Sequence, residues 1–405
     1  MTIPLRTFVR KSVPAATFIA NGVPSSLISN SPFSDIDKHT KLSYDGVRRV
    51  MVTNGGDVAS SGGHELMFKY NVATNAWSFL STTCHAPGKI TPSPGNTDDA
   101  PPLIIDHNRN RYVSWAGVTT TNGGPPNTTC NTDWPGHGGG STFKFGIVAL
   151  NPDTGDWTTL RDDSSIFPST DYPPLGYFAF WDPVGDVYIG VNNNDEELKF
   201  VSPTSFAVTK LSTNQRFLHP SGSGDLVSNP VPMGDGNVWW QNTVSAVPAF
   251  APDILGRRLY FMAVSSVGPS PGSSTYTIPR FMFMNLDTGQ VGYLPHPPVP
   301  TGVSASIAPG GNAPWLLFDT KNRALIYIDI RNTSGVVKTG VYVYPLATGV
   351  WEFYPTTQDI TPGNPAGNCW AYNPDENVCV GGGTVFWTDN GEVFPGFHCW
   401  HWRYA

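Results

Sequence analysis

The sequence predicts an all-β protein built from repeated four-stranded units, and three observations support this prediction. Its 405 residues include 42 Gly and 38 Pro, 12% are aromatic and only 14% are charged. This composition disfavours long helices and favours short strands joined by many turns. In addition, two short phrases recur along the chain, one around an Asp turn and one around a Thr-Gly or Thr-Asn turn. Recurrence of this kind is typical of folds assembled from one supersecondary unit.

The first repeated phrase is an apolar strand, a turn opened by aspartate, and a second apolar strand. An aspartate at this place can accept a hydrogen bond from the backbone N–H two residues later, which stabilises the turn. Each copy therefore predicts a hairpin of two strands, a and b. The six copies centre on Asp45, Asp106, Asp182, Asp253, Asp319 and Asp375.

The second phrase predicts a hairpin of strands c and d. It reads "YNVATNAW" (70–77), "LNPDTGDW" (150–157), "VSPTSFAV" (201–208), "MNLDTGQV" (284–291) and "YPLATGVW" (344–351). Gly or Asn at the sixth place indicates a positive φ, as in a tight hairpin. Phe206 breaks this pattern, so we expect the third copy to turn differently. At the eighth place, Trp77, Trp157 and Trp351 are expected to be structural and buried between units.

Six a-b hairpins but only five c-d hairpins are visible in the sequence. The sixth unit ends in "HCWHWRYA", which resembles a c strand and has no d strand after it. We expect an N-terminal strand, from "IPLRTFV" or "ATFIA", to pair beside it and close a ring, because closure removes open sheet edges. The predicted organisation is an N-terminal arm and closing strand at 1–38, followed by units near 39–83, 98–163, 172–213, 246–297, 313–356 and 367–405.

The units resemble kelch repeats. Glycine pairs follow the b strands in "VMVTNGGD" (50–57) and "VCVGGG" (378–383), and a Trp recurs on strand d. The resemblance covers roughly residues 39–405. It implies a six-bladed, kelch-like β-propeller of four-stranded blades, and a similarity to propeller proteins of bacteriophage virions.

Alternating strand direction places the a-b and c-d turns on one face and the b-c and d-a connections on the other. Nearly all the irregular sequence lies in the second set, at 118–141, 211–245, 265–279 and 384–397. Connections this long in a compact domain are usually functional or disordered. The long-loop face is therefore the expected working face.

Four candidate binding residues lie in these loops, namely Trp134, His137, Trp239 and Trp240, and two more, Asn193 and Asp195, lie in the shorter stretch 192–197. An exposed Trp can stack on a sugar ring or anchor a protein partner; alternatively, these side chains fold inward and give the loops a small core. Asn193 and Asp195 belong to "NNNDEE", which offers oxygens to Ca²⁺ or is a solvated acidic loop.

No catalytic constellation, metal site or cofactor is predicted. Kelch-like propellers resemble the copper radical oxidases, which need Tyr, His and Cys around copper. However, the spacing of His398 and His401 points them to opposite faces of one strand. The "DTG" turns differ from sialidase-type Asp boxes, because the Trp is one residue too close. Cys84 and Cys130 fall in neighbouring long loops and can pair, whereas Cys369, Cys379 and Cys399 fall on strands; reduced thiols are expected.

Charge and hydropathy exclude two classes of partner. The net charge is −7 and no basic run is present, which argues against nucleic acid. No apolar stretch approaches a membrane span. The N-terminal segment makes a poor signal peptide, because its apolar part is short and contains a proline. We therefore expect synthesis and retention in a cytosol.

Two classes of function remain. The first is a non-enzymatic structural or receptor-binding component of a bacteriophage virion, such as a tail, fibre or capsid-decorating protein. It would assemble in the host cytoplasm in several copies or as a homo-oligomer with other virion proteins, and bind a host-surface glycan or protein. The alternative is a carbohydrate-binding or carbohydrate-active propeller, that is, a lectin, glycosidase or oxidase-like protein. Convergent Asp, Glu, His or Tyr side chains at the mouth of a central channel would favour the alternative.

Overall fold

The fold is all-β, as the composition predicts. The computed structural model describes residues 3–14, 42–54, 67–80, 103–118, 144–161, 178–191, 198–211, 218–220, 230–232, 250–263, 280–295, 297, 315–333, 336–356, 369–389 and 392–405. Within these ranges the one helical element is a single 3-10 turn, His107–Arg109. The remaining described residues form β-strands, turns and short connecting segments.

Six four-stranded sheets and one two-stranded sheet make up the described chain, with antiparallel neighbours. Strand β1 is Val9–Pro14. Sheet 1 contains β2 Leu42–Asp45, β3 Val50–Asn54, β4 Met67–Asn71 and β5 Ala76–Leu80. Sheet 2 contains β6 Ile104–Asp106, β7 Arg111–Val118, β8 Lys144–Leu150 and β9 Trp157–Arg161. Sheet 3 contains β10 Phe178–Asp182, β11 Val187–Val191, β12 Leu198–Val201 and β13 Val208–Leu211.

The later sheets follow the same order. The two-stranded sheet pairs β14 Leu218–Pro220 with β15 Pro230–Pro232. Sheet 4 contains β16 Phe250–Asp253, β17 Arg258–Ala263, β18 Arg280–Asn285 and β19 Val291–Tyr293. Sheet 5 contains β20 Trp315–Asp319, β21 Ala324–Thr333, β22 Val336–Pro345 and β23 Glu352–Thr356. Sheet 6 contains β24 Cys369–Asn373, β25 Val378–Asp389, β26 Glu392–Trp402 and β1.

Sheet 6 combines both ends of the chain. Strand β1 pairs antiparallel with β26, with Val9 opposite His401 and Pro14 opposite Gly396. Just before it, Leu5 forms an isolated parallel bridge with Arg403. Strand β1 thus begins at Val9, the last residue of "IPLRTFV", which is the first of the two segments expected to pair here. The stretch 384–397 was expected to be an irregular loop, but its described residues, 384–389 and 392–397, are regular strand, because β25 and β26 stay paired as far as Asp389 and Glu392.

The chain divides into two compact units. The first comprises Met1–Asn192, Lys199–Val208 and Pro362–Arg403, and the second comprises Asn193–Leu198, Thr209–Thr361 and Tyr404–Ala405. In the first unit, the strands that precede the a-b turns lie next to one another in the order β24, β2, β6, β10. In the second unit β16 lies against β20.

Apolar side chains from adjacent sheets form the core. In the first unit, Ile104, Val113 and Ile147 of sheet 2 pack with Tyr188 and Val201 of sheet 3. All five are at most 1% exposed. Ile147 and Ala149, two residues apart on β8, both belong to this cluster, as expected for one face of a strand that packs against a neighbouring sheet. In the second unit an equivalent cluster of aromatic and aliphatic residues joins sheets 4 and 5.

The c-d turns have the positive φ that their sixth residues predict. The values are 54° at Asn75, 78° at Gly155, 69° at Gly289 and 64° at Gly349. The expectation for Phe206 is wrong, because its φ is 57° and its N–H donates to Ser202 O at 2.9 Å, as Gly155 N does to Asn151 O at 2.8 Å. The Arg111 guanidinium lies 5.9 Å from the Phe206 ring centroid, so packing helps to offset the strain of a bulky residue in this conformation.

Candidate functional site

A buried polar residue ends the first strand of every four-stranded sheet. These residues are Asp45, Asp106, Asp182, Asp253, Asp319 and Asn373, each 0–1% exposed. Their side-chain oxygens accept from turn N–H groups, as in Asp45 Oδ1 with Val47 N at 3.0 Å and Asp319 Oδ1 with Lys321 N at 3.0 Å. The sixth position is Asn373 rather than the expected Asp375. Asn373 Oδ1 accepts from Glu376 N at 3.1 Å.

All six a-b turns span four residues, and the fourth takes a left-handed conformation. These residues are Arg49, Asn110, Asp186, Arg257, Arg323 and Asn377, with φ between 45° and 56°. The sequence reasoning missed this regularity, because three of the six are arginines, which rarely adopt this conformation. The constant spacing of four residues from the buried Asp or Asn is the sequence signal that could have revealed it.

The second oxygen of two aspartates binds the neighbouring sheet. Tyr112 Oη on β7 donates to Asp45 Oδ2 at 2.5 Å, and Tyr188 Oη on β11 donates to Asp106 Oδ2 at 2.6 Å. Each aspartate therefore closes its own turn and also joins its sheet to the next. Burial, and then the hydrogen bond to Asp45, raises the pKa of Tyr112 well above its usual range.

Opposing effects act on the pKa of Asp45. Burial alone raises the pKa of its carboxyl group, but hydrogen bonds from His107, Tyr112 and Arg48 outweigh burial. The net result is a pKa well below the ordinary value. His107 Nε2 lies 3.3 Å from Asp45 Oδ1, and Arg48 Nη1 lies 3.0 Å from Asp45 Oδ2. This carboxylate therefore stays ionised and fully engaged at neutral pH.

Arginines extend the network along the same end of the sheets. Arg48 Nη2 also donates to Asp153 and to Asn110, both at 2.6 Å, so it links sheet 1 to both turns of sheet 2. Arg109 binds Asp186 of sheet 3 through two bonds of 2.9 and 2.6 Å. These bonds, more than any other contact, lower the pKa of Asp186 to about 2.

The second unit uses the same chemistry. Arg323 of sheet 5 pairs with both oxygens of Asp253 in sheet 4, with Nη2 at 2.7 Å from Oδ2. Arg257 pairs with Asp287 at 2.7 Å. In both units, then, buried carboxylates at this end bind turn N–H groups and arginines, and in the first unit they also bind tyrosines. Such an arrangement can hold sheets together.

Replacing Tyr112 by phenylalanine removes one donor from the buried Asp45 carboxylate and keeps the ring. Hydrogen bonds to charged groups contribute about 1.5–3 kcal/mol, so we expect the free energy of unfolding to fall by about that amount. Chemical denaturation measures it. Tyr44→Phe is the matched control, since Tyr44 Oη donates to the more exposed Asp375 at the same 2.5 Å distance. Equal losses in the two variants would contradict a special role for the buried pair.

The structure places the predicted site residues as follows. The six loop candidates Trp134, His137, Asn193, Asp195, Trp239 and Trp240 lie outside the described residues, as do Cys84 and Cys130. The backbones of Trp77 and Trp157 lie on β5 and β9, but their side chains are not described. Trp351 is 6% exposed, and its Nε1 donates to Pro295 O at 2.7 Å. Its ring centroid lies 4.7 Å from that of Phe281 in sheet 4.

The described residues contain no group of three or more His, Cys, Asp or Glu side chains arranged to hold a metal ion. The same residues contain no helix of the length and hydrophobicity needed to span a membrane. The side chain of Cys379 is buried in this part of the chain.

No protein-family model matches the chain, and no curated protein matches it. Several solved structures are distantly similar. One is a luciferin-regenerating enzyme, with 10% identity, 98% of this chain and 95% of that chain covered, and a TM-score of 0.42. Another is an exo-β-1,3-galactanase from Phanerochaete chrysosporium in complex with β-1,3-galactotriose, with 13% identity, coverages of 85% and 66%, and a TM-score of 0.42.

A third is an auxiliary nutrient binding protein from Bacteroides thetaiotaomicron, with 8% identity, coverages of 90% and 69%, and a TM-score of 0.43. With TM-scores below 0.5, these similarities are too distant to carry an argument about this chain. Its function must therefore be argued from its own residues.

Proposed function

We propose that the six sheets are the blades of a kelch-like β-propeller closed by β1, and that the protein is a non-enzymatic structural or receptor-binding component of a bacteriophage virion. Support for the ring comes from the first unit, where sheet 6 lies next to sheet 1 and contains both ends of the chain. A propeller closed by its N-terminal strand requires this adjacency, and closure removes the exposed edges of the first and last sheets.

One observation carries the functional proposal, namely the contrast between the two ends of the sheets. At the end formed by the a-b and c-d turns, the buried aspartates are occupied in closing turns and joining sheets. The long connections begin at the opposite end of the sheets. They include residues 55–66, 119–143, 162–177 and 212–249. A rigid scaffold that carries variable loops at one end is a layout suited to binding.

The candidate binding residues all lie in those connections. Trp134 and His137 lie between β7 and β8, Asn193 and Asp195 between β11 and β12, and the Trp239–Trp240 pair between β15 and β16. Aromatic side chains with small polar neighbours recognise sugar rings and protein surfaces. The proposed ligand is a glycan or protein on the host surface.

The assignment to a virion rests on sequence features. The chain is rich in Gly and Pro, has only 24 Lys and Arg together, and carries a proline-broken arm with the apolar stretches "ATFIA" and "SLI". An extended arm with spaced apolar residues is suited to lying across a neighbouring subunit. The proposed partners are other virion proteins and further copies of this chain, and the proposed place of assembly is the host cytoplasm.

Purified phage particles from cells that make the protein provide the test. We expect the protein to co-sediment with intact particles in a density gradient. We also expect W239A/W240A particles to adsorb poorly to host cells, while particles with Val184→Ser, a 65% exposed position at the turn end, adsorb normally. If the protein is absent from particles, and purified protein instead binds or cleaves glycans, the carbohydrate-active alternative replaces this proposal.

A further inference from the structure

A fully buried histidine lies where sheet 6 meets sheet 1. His401 is on β26, is 0% exposed, and stands opposite Val9 of β1 and Val380 of β25. Its Nε2 lies 2.9 Å from Tyr70 Oη on β4 of sheet 1. His401 therefore lies on the strand that pairs with β1, and its ring bonds to the neighbouring sheet through Tyr70.

The hydrogen bonds around Tyr70 fix the protonation of this histidine. Tyr70 Oη donates its single proton to Asn75 Oδ1 at 2.9 Å, and that amide oxygen can only accept. Tyr70 Oη must therefore accept from His401 Nε2–H. The bond to Tyr70 therefore places a proton on Nε2, and the ring is neutral because a buried Nδ1–H would have no acceptor. Nδ1 is left as a bare nitrogen, buried and without a hydrogen-bond partner.

The surroundings oppose a second proton on this ring. Among the described residues, the charged or titratable groups that face His401 are Tyr70 on β4 and Lys11 on β1. A proton on Nδ1 would create a buried cation that has no acceptor for its new N–H and lies near a second positive charge. Burial, and then Lys11, lowers the pKa of His401 to about 4.

We propose that His401 makes the junction of β1, sheet 6 and sheet 1 acid-sensitive, so that protonation at Nδ1 releases β1 from β26 and parts sheet 6 from sheet 1. Opening lets water reach the imidazolium and satisfies the new N–H, which the closed junction cannot do. Because His401 is paired with β1 through its backbone and bonded to sheet 1 through its ring, one proton acts at both places. The inference does not depend on whether the protein belongs to a virion.

The direction of the pH effect follows from the pKa of His401 in the open and the closed junction. In the open junction the histidine has its ordinary pKa of about 6.5, and in the closed junction its pKa is about 4. The closed form is therefore fully favoured above pH 6.5 and loses stability as the pH falls towards 4. Between pH 7 and pH 5, linkage predicts a rise of about twenty-fold in the equilibrium constant for opening.

Amide hydrogen exchange of the full chain tests this. After correction for the intrinsic pH dependence of exchange, we expect opening of β1 to increase about twenty-fold from pH 7 to pH 5. Strand β20 of sheet 5 is the internal reference and should change little. His401→Gln keeps an N–H donor for Tyr70 and has no titrating group, so its β1 should show no such increase. His107→Gln, at the turn end, should keep the wild-type response.

Two results would overturn the proposal. One is an unchanged pH response of β1 in His401→Gln. The other comes from the wild-type protein alone and applies even if that variant fails to fold: a His401 imidazole signal that titrates near pH 6.5 by NMR while β1 stays protected. That result would show that the closed junction accepts the proton.

Discussion

Gly381→Ala is expected to destabilise sheet 6 severely. A Cβ at this position would fall within the ring system of Trp370 on the paired strand, closer than real Cβ contacts occur. Trp370 is 4% exposed, so its ring has little room to move. Overpacking of a filled core costs about 1–3 kcal/mol and occasionally more. We expect a loss at or above the top of that range, measured by thermal or denaturant unfolding.

Alanine substitutions at two other glycines provide comparisons for this result. Gly340→Ala brings the new methyl against Phe353, which is partly buried and can give more easily, so the loss should be smaller. Gly46→Ala meets its nearest atom, on Tyr44, at 3.5 Å, which is ordinary contact, so stability should hardly change. If Gly381→Ala changes stability as little as Gly46→Ala, the ring of Trp370 does not lie over Gly381.

Phe8→Ala is the second substitution with a large expected effect. Phe8 is 2% exposed, and its ring centroid lies 5.8 Å from that of Trp370, 6.5 Å from Trp400 and 6.4 Å from Trp402. Truncating a buried Phe typically costs about 3–5 kcal/mol. Here the loss should also free β1, because Phe8 directly precedes that strand. We expect a lower melting temperature together with aggregation, since β26 then becomes an exposed edge.

Leu5→Ala is the matched control. It removes an apolar side chain from the same segment, but Leu5 is 53% exposed and makes only an isolated bridge with Arg403. Its melting temperature and its sedimentation profile should match those of the wild type. Aggregation of Leu5→Ala to the same degree as Phe8→Ala would mean that the whole segment, and not the aromatic contact, holds β1 in place.

Local features of the fold could be predicted from the sequence. The Asp turns and the Thr-Gly turns are contained within a few residues, so their hairpins follow from spacing alone. The positive φ of Asn75 and of the turn glycines follows from residue type. Phe206 and the arginines at the ends of the a-b turns could not be predicted, because bulky residues avoid this conformation. Their preference is overridden by turn length and by contacts such as Arg323 with Asp253.

Contacts between sheets could not be predicted from the sequence. The bond from Tyr112 to Asp45 depends on how two sheets face each other, which no spacing within one hairpin encodes. The burial of His401 against Tyr70 could not be predicted either, because it depends on sheet 6 lying next to sheet 1. The loop candidates remain predictions, since they lie outside the described residues.

The pairing of β1 with β26 also bears on how the chain is made. Strand β1 is synthesised before the other strands of sheet 6 and finds its partner only when β26 has been made. Until then β1 has no place in a sheet. Such distant pairing makes the final step of folding slow and exposes strand edges while it waits. The nascent protein should therefore depend on chaperones most strongly until β26 has been synthesised and has paired with β1.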